Sequence, residues 1–310
     1  MKAVRITRYG GPEVLEVADV RTPTPEPKDA LIEVHAASLN PVDWKIQAGM
    51  LQRNVTVPMP HVMGRDFSGV VVAVGPEAAG FQPGDAVFGM CNPVRDGSHA
   101  EYMTSDVSML AKKPPNVSHV DMASLVLVGV SALAAIKVAH QVKKGDKVLV
   151  HAGAGGVGSF AIQYAKSLGA TVVATCGPQN LDYVRSLGAS RAIDYTKEDF
   201  TKVATDCDVV FDVMGGEVHR RSFASLKPGG TLVYLAAAPI PDGPPPRTDV
   251  TVKAGLARPT PEFYAEIARL AASGAVKPQV TQVFALDDAP RAYAANRSGH
   301  TRGKIVFKVR

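Results

Sequence analysis

Lys147-Val148-Leu149-Val150-His151-Ala152-Gly153-Ala154-Gly155-Gly156-Val157-Gly158 is the stretch that decides the fold. A short β-type run, Lys147 to His151, ends at Gly153-x-Gly155-x-x-Gly158, and a helical segment follows to about Leu168. Glycines alone mark many turns, but strand, glycine turn, helix and a further strand at Thr171 to Thr175 make a βαβ unit of about 30 residues. In that setting each glycine has a task. Gly153 permits the tight turn, Gly155 lets the backbone approach a pyrophosphate, and Gly158 allows the helix to pack closely on the strand. The backbone N–H groups of Gly156 and Val157 open the helix, where an anion is favoured. The turn is expected to bind a dinucleotide.

Working outward, the C-terminal side continues to alternate. A helix is expected at Gln179 to Leu187, with strands at Arg191 to Asp194, Asp208 to Val213 and Thr231 to Leu235. Helix Glu217 to Leu226 precedes the turn Lys227-Pro228-Gly229-Gly230. Alternation at this spacing predicts a parallel sheet covered on both faces. Towards the N-terminus, Asp121 is placed to cap a helix through Ala139, and residues before 120 read as β-rich. Val14 to Val17, Ala30 to Ala36 and Gly69 to Val74 are separated by turns such as Gly10-Gly11-Pro12 and Pro83-Gly84-Asp85. Pro239 to Pro246, with five prolines, reads as a surface loop. A last helix, Pro261 to Ala272, and a closing strand, Lys304 to Val309, return the C-terminus to the first domain.

The end of the second strand of the βαβ unit decides the cofactor. NAD-binding domains usually carry an acid there that accepts from ribose hydroxyls. Here the sequence runs Thr175-Cys176-Gly177-Pro178-Gln179-Asn180, with no acid before Asp182. A carboxylate would repel a 2′-phosphate, and its absence leaves room for one. Cys176 and Gly177 form the corner, Gly177 offers a backbone N–H and Asn180 a side-chain donor. NADP(H) is therefore expected, and a methyltransferase is disfavoured. Met214, Ala236, Ala237 and the 254–256 loop follow strand ends, where ligands collect in open α/β sheets.

Composition bounds the alternatives. At 310 residues, two domains are expected, and 46% hydrophobic with 20% charged residues is ordinary for a globular protein. The net charge of +5 is spread out, with Lys143-Lys144 and Arg220-Arg221 the longest basic runs, so no nucleic-acid partner is expected. Met122 to Val142 is the most apolar stretch, but Gly129, Ser131, Lys137, His140 and Gln141 interrupt it, so no membrane span is expected. Cys91, Cys176 and Cys207 are too scattered for a disulfide framework or a CxxC metal site, which fits a reducing, cytoplasmic setting. Lone cysteines of this kind are small buried hydrophobes.

Several short motifs, in order along the whole chain, now point one way. They are Gly10-Gly11-Pro12-Glu13-Val14-Leu15, Asn40-Pro41-Val42-Asp43-Trp44-Lys45, Gly64-Arg65-Asp66-Phe67-Ser68-Gly69 and Gly97-Ser98-His99-Ala100-Glu101-Tyr102. The glycine turn, Leu187-Gly188-Ala189, Asp212-Val213-Met214-Gly215-Gly216 and Gly303-Lys304-Ile305-Val306 complete them. Together they resemble the zinc-free quinone oxidoreductase branch of the medium-chain dehydrogenase/reductase superfamily. The resemblance implies an α/β fold: a GroES-like β-rich catalytic domain, residues 1–122 and 259–310, with a Rossmann domain (a doubly wound parallel sheet), residues 123–258, inserted. It further implies a homodimer, commonly formed edge to edge between Rossmann sheets, and small-molecule quinone or enone substrates reduced by NADPH. Tyr195 falls where many members place a tyrosine beside the 2′-phosphate, and Ser131 where relatives have Thr or Ser near the carboxamide. Ser131 also reads as a helix serine bonding its own backbone.

Zinc-dependent relatives carry Cys where Asn40 stands and Gly-His-Glu where Gly64-Arg65-Asp66 stands. Zinc needs three or four N, S or O ligands; here an amide and an arginine hold those places, and His35, His61 and His99 match no ligand set. Metal-free hydride addition to an electron-poor alkene or quinone is expected. The catalytic candidates are Asn40, as a nicotinamide neighbour or a turn residue before Pro41, and Lys45, as a contact to the ribose or enolate or a solvated lysine. Asp43 is expected to orient neighbours, and Arg65 with Asp66 to form an ion pair or loop brace. Relatives often have Tyr shortly after the Lys45 position, where this chain has Ala48-Gly49-Met50. Two other readings stay open: a zinc alcohol dehydrogenase, and a cofactor-binding structural or partner-binding module.

Overall fold

Buried side chains fall on both faces of the strand Asp29–Leu39, the longest in the chain, and it organises the first of two compact units. The computed structural model describes every residue except 54, 236–238, 241, 244 and 256–258, and only the backbone of 138 and 139. The first unit comprises Met1–Leu127, Pro259–Ser273 and Pro278–Arg310; the second comprises Val128–Arg258 and Gly274–Lys277. The division at 127/128 lies inside the helix His119–Leu133, five residues beyond the boundary read from sequence.

In the first unit a seven-stranded sheet runs Val280–Phe284, Lys304–Lys308, Asp29–Leu39, Asp66–Val74, Ala86–Met90 and Leu110–Lys112, with Tyr102–Asp106 also paired to Asp29–Leu39. The C-terminal strand closes antiparallel on Asp29–Leu39, with Ile305 opposite Leu39 and Phe307 opposite Ala37. A three-stranded sheet of Leu15–Asp19, Lys2–Ile6 and His61–Val62 completes the β-rich unit. Phe67, Phe88 and Phe307 are fully buried here, each contributing about 2–3 kcal/mol by leaving water. His99 pins the C-terminal helix Ala289–Arg297 to this core. Its Nε2–H donates to the Ser38 carbonyl at 3.2 Å, so its Nδ1 accepts from the Tyr293 hydroxyl at 3.0 Å. Burial holds His99 neutral, its imidazole pushed down to about 4.

The second unit is built on a six-stranded sheet in the order Arg191–Asp194, Thr171–Cys176, Lys147–Val150, Cys207–Asp212, Leu226–Tyr234, Thr251–Ala254. Every pairing in it is parallel. The chain steps outward from Lys147–Val150 to one edge, then returns to its other side at Cys207–Asp212. Strand order reverses there, and in doubly wound sheets ligands bind at that reversal, beyond the strand C-termini. The glycine turn follows directly from Lys147–Val150.

Some elements differ from expectation. Ser118, not Asp121, caps the long helix, its Oγ accepting from Asp121 N–H at 3.0 Å. That helix runs His119–Leu133 and ends in a π-helical turn, Ala134–Ala139. The stretch His119–Lys137 is long and apolar enough to cross a membrane by composition, yet 72% of that window is buried inside the structure, as in a core helix. Lys227-Pro228-Gly229-Gly230 is not a turn outside the sheet. It lies within Leu226–Tyr234 as an irregularity, with the partner register shifting between Cys207 and Val209.

Candidate active site and cofactor-binding turn

The glycine turn is shaped by backbone contacts. Gly153 N–H donates to the Thr175 carbonyl at 2.8 Å, which fixes the turn to the end of the neighbouring strand. Beneath it, buried His151 bridges Thr175 Oγ1 at 3.1 Å and Ser222 Oγ at 3.0 Å. A Cβ at Gly158 would stand 2.3 Å from the Ala152 carbonyl oxygen and 2.8 Å from Gly153 Cα, so packing within the turn excludes any side chain. Gly155 differs. A Cβ there would meet only the Ala152 oxygen, at 3.4 Å. Protein packing does not demand a glycine at 155, and its bare backbone leaves space at the start of the helix Gly156–Ser167, which has no side-chain cap. Gly156 and Val157 supply that helix's first turn. This cradle fits a dinucleotide pyrophosphate.

At the next strand end Cys176 is buried, and its thiol is pushed up to about 11 by burial. Tyr195, 60% exposed, follows the strand Arg191–Asp194, and its N–H donates to the Cys176 carbonyl at 3.3 Å. The two acids nearby are engaged. Asp194 accepts from Thr196 N–H and Oγ1 at 3.0 and 2.7 Å, and Asp182 is paired with Arg185. The corner Cys176-Gly177-Tyr195 thus has no uncommitted carboxylate among the described residues. Asn180 does not fit the role expected for it. It is buried between the short 3-10 turn Pro178–Asn180 and the helix Leu181–Ser186, not presented as a surface donor.

Met214 is 42% exposed beyond the strand Cys207–Asp212. Its loop is held by Asp212, whose Oδ1 accepts from Met214 and Gly215 N–H at 2.8 and 3.0 Å and whose Oδ2 faces His219 Nδ1 at 2.9 Å. Ser131 is partly buried within the helix His119–Leu133. Ala236 and Ala237, and Leu256 of the 254–256 loop, lie outside the described residues.

In the β-rich unit, the helix Pro41–Gln47 begins at Asn40, with Pro41 in its first turn. Asp43 Oδ2 accepts from Asn40 N–H at 2.7 Å, and this closes a capping box. The Asn40 amide is only 1% exposed and both of its ends are taken. Its Oδ1 accepts from Lys304 Nζ at 2.5 Å, and its Nδ2 donates to Asp66 Oδ1 at 3.1 Å. The structure thus gives the Asn40 amide partners within the protein at both its oxygen and its nitrogen. Asp66 also accepts from Ser38 Oγ and from Leu127 N–H. It forms no ion pair with Arg65 among the described residues; it is a buried brace, and Arg65 Nε has no hydrogen-bond partner among them.

Lys45 sits in the last turn of the same helix, its Nζ 5.7 Å from the Trp44 ring centroid. Partial burial draws its ammonium below the usual lysine range. A lysine tuned this way donates a hydrogen bond, or a proton, more readily at neutral pH. Burial also pushes the Asp43 carboxyl up to about 7. The residue missed in the sequence is Lys304. The available signal was a lysine opening the otherwise apolar strand Lys304-Ile305-Val306-Phe307, in which all four residues are buried. His61 and His99 lie in the core and His35 is partly exposed; no group of three metal-ligating side chains occurs among the described residues.

Residues 26–115 match the family described as alcohol dehydrogenase GroES-like domain, and residues 187–307 the one described as zinc-binding dehydrogenase. The chain is 36% identical to a tomato (Solanum lycopersicum) 2-methylene-furan-3-one reductase over 99% of its own length and 79% of that protein. The chain belongs to the quinone oxidoreductase branch of the medium-chain dehydrogenase/reductase superfamily. An NADPH-dependent alkenal/one oxidoreductase of Arabidopsis thaliana chloroplasts is likewise 36% identical, over 99% of this chain and 79% of that one. The solved quinone oxidoreductase of Coxiella burnetii superposes with a TM-score of 0.89 at 34% identity, covering 100% of this chain and 99% of that one. The stretch matched by the zinc-binding description excludes Asn40, Arg65 and Asp66, so that label says nothing about ligands at those positions.

Proposed function

We propose that this member of the family is a zinc-independent reductase that uses NADPH to reduce quinones or α,β-unsaturated carbonyl compounds. The observation that carries the cofactor assignment is the corner Cys176-Gly177-Tyr195. An exposed phenol stands there beside a bare backbone, and the neighbouring acids are committed to Thr196 and Arg185. A 2′-phosphate meets a hydroxyl donor at this corner, with the Asp194 carboxylate turned to the Thr196 N–H and hydroxyl. Gly155 to Gly158 cradle the pyrophosphate, and the Met214 loop is held in place by Asp212.

When bound, the reduced nicotinamide supplies a hydride to the electron-poor carbon of the acceptor. Negative charge then develops on the acceptor oxygen, and Lys45 is the donor that stabilises it. Its lowered proton affinity also suits delivery of the proton that completes a two-electron reduction. Asn40 and Asp43 hold the helix that carries Lys45.

Zinc independence rests on the chemistry of the donor set. The amide oxygen of Asn40 is occupied by an ammonium, the neighbouring position is an arginine, and Asp66 is committed to Ser38, Asn40 and the Leu127 N–H. Tetrahedral zinc lacks three convergent ligands there. The chain is further proposed to act as a cytoplasmic homodimer. The strand Thr251–Ala254 is exposed at all four residues on one edge of its sheet, where a second copy can add. Light scattering of the purified protein tests the dimer. The enzyme assignment is tested by NADPH oxidation against 2-alkenals, enones and quinones in chelator-treated protein. Turnover supports it, and tight NADPH binding without turnover favours a binding module instead.

A further inference from the structure

Among the described residues, Lys304 is the one buried lysine. Register places it at the start of the C-terminal strand, beside the end of Asp29–Leu39, since Ile305 lies opposite Leu39. Its Nζ donates to the Leu39 carbonyl at 3.1 Å and to Asn40 Oδ1 at 2.5 Å. Taking an ammonium out of water costs several kcal/mol, so it persists only where fixed acceptors and opposing charge compensate. Those charges are Asp66 and Asp43, both fully buried.

The contact orients the Asn40 amide without ambiguity. Its oxygen faces the ammonium and its nitrogen faces the Asp66 carboxylate, an arrangement that a flipped amide would reverse at both ends. The Asn40 backbone is in turn the cap of the helix Pro41–Gln47, closed by Asp43. One helical turn further on, the same helix presents Lys45. A chain of contacts therefore leads from the C-terminal strand to the lysine proposed to act on the acceptor.

We propose that Lys304 is a positioning residue for reduction: its buried ammonium locks the Asn40 amide against Asp66 and so sets the helix that presents Lys45. This rests on the assignment of Lys45 as the donor to the acceptor oxygen. The buried charges give it a pH signature. The Lys304 ammonium helps hold the Asp66 and Asp43 carboxyls down against the upward push of burial. Removing it lets both keep their protons to higher pH.

The test compares wild type with Lys304→Met and with Lys304→Met/Asp66→Asn, which removes the stranded carboxylate as well. The readouts are NADPH affinity, kcat and KM for an alkenal, the pH profile of kcat, and the titration of Lys45 followed by NMR after 13C reductive methylation. Assignment of the Lys45 signal comes from its absence in Lys45→Arg. The expected result for Lys304→Met is a kcat at least tenfold lower, NADPH affinity within about twofold, an acid limb moved to higher pH, and Lys45 titrating closer to an ordinary lysine. The double variant regains part of the lost kcat and loses the shift of the acid limb. Unchanged kcat, pH profile and Lys45 titration in a folded variant overturn the proposal. So does failure of both variants to fold, which makes Lys304 a folding residue only. The Lys45 titration does not depend on turnover. A wild-type enzyme inactive on every acceptor contradicts the proposed function, whereas an unmoved Lys45 signal contradicts the positioning role.

Discussion

The N–H of Tyr195 donates to the carbonyl of Cys176 at 3.3 Å, and this places an exposed phenol beside the end of the second strand of the nucleotide-binding sheet. The proposed NADPH site makes that hydroxyl the donor to the 2′-phosphate. Tyr195→Phe removes it without disturbing the core. NADPH affinity is expected to fall roughly fivefold, the equivalent of about 1 kcal/mol for one hydrogen bond, while NADH affinity stays the same. Titration of both cofactors by fluorescence checks this, and equal losses for the two would remove Tyr195 from phosphate recognition.

Gly155 and Gly158 separate binding from folding. Gly155→Val adds atoms where the protein leaves space, in the proposed path of the pyrophosphate. A folded protein is expected, with NADPH affinity at least tenfold weaker. Gly158→Ala drives a Cβ to 2.3 Å from the Ala152 carbonyl oxygen, which backbone cannot yield easily. It is expected to destabilise its unit by about 1–3 kcal/mol. Thermal melts with and without NADPH distinguish the two; a stable, tightly binding Gly155→Val variant would contradict the assigned path of the phosphates.

The histidines and Asp43 act on stability in opposite directions with pH. Burial pushes His99, His119 and His151 down to about 4, below the ordinary histidine value, so each stays neutral when folded. Between about pH 6.5 and 4 the unfolded chain binds more protons at these three, and stability falls as pH falls through that window. Asp43 is pushed up to about 7. Between its unfolded value near 4 and 7 the folded protein binds the extra proton, so this group removes stability as pH rises. Asp43→Asn, which can still accept from Asn40 N–H, is expected to abolish that second contribution. Denaturant melts at pH 5 and pH 8 should show the variant gaining stability relative to wild type at the higher pH. Parallel curves would show that Asp43 ionises as an ordinary surface acid does.

Lys45→Met removes the proposed donor to the acceptor oxygen. A loss of about 10²-fold in kcat/KM is expected, the scale typical of one acid–base or oxyanion contact. NADPH affinity should change far less. Steady-state kinetics with a 2-alkenal provides the measurement, and an unchanged kcat/KM would assign the step to another group.

Much of this arrangement was legible in the sequence, for physical reasons that also explain what was not. The strand before Gly153 and the helix after Gly158 carry periodic apolar patterns, and the turn between them is written in residues with few alternatives. Lys304 was hidden because a lysine opening a short strand looks like an exposed end. Only the register of Ile305 on Leu39 turns it toward Asn40. The strand Thr251–Ala254 is only four residues long, too short for the alternation of Val252 and Ala254 to stand out, and all four residues are exposed. Pro228-Gly229-Gly230 reads as a turn locally, yet the parallel neighbour Cys207–Asp212 absorbs it as an irregularity within one strand. Arg65 and Asp66, adjacent and opposite in charge, suggested each other as partners. Asp66 opens a strand whose first four residues are all buried, and its carboxylate meets Ser38 and Asn40 instead.

The most direct test of the account is NADPH consumption by chelator-treated enzyme in the presence of a 2-alkenal, an enone or a quinone, with NADH run in parallel. The predicted result is turnover of at least one acceptor class, faster with NADPH than with NADH and undiminished by removal of zinc. Failure to bind either nicotinamide cofactor, or activity that disappears with zinc and returns on its addition, would contradict it.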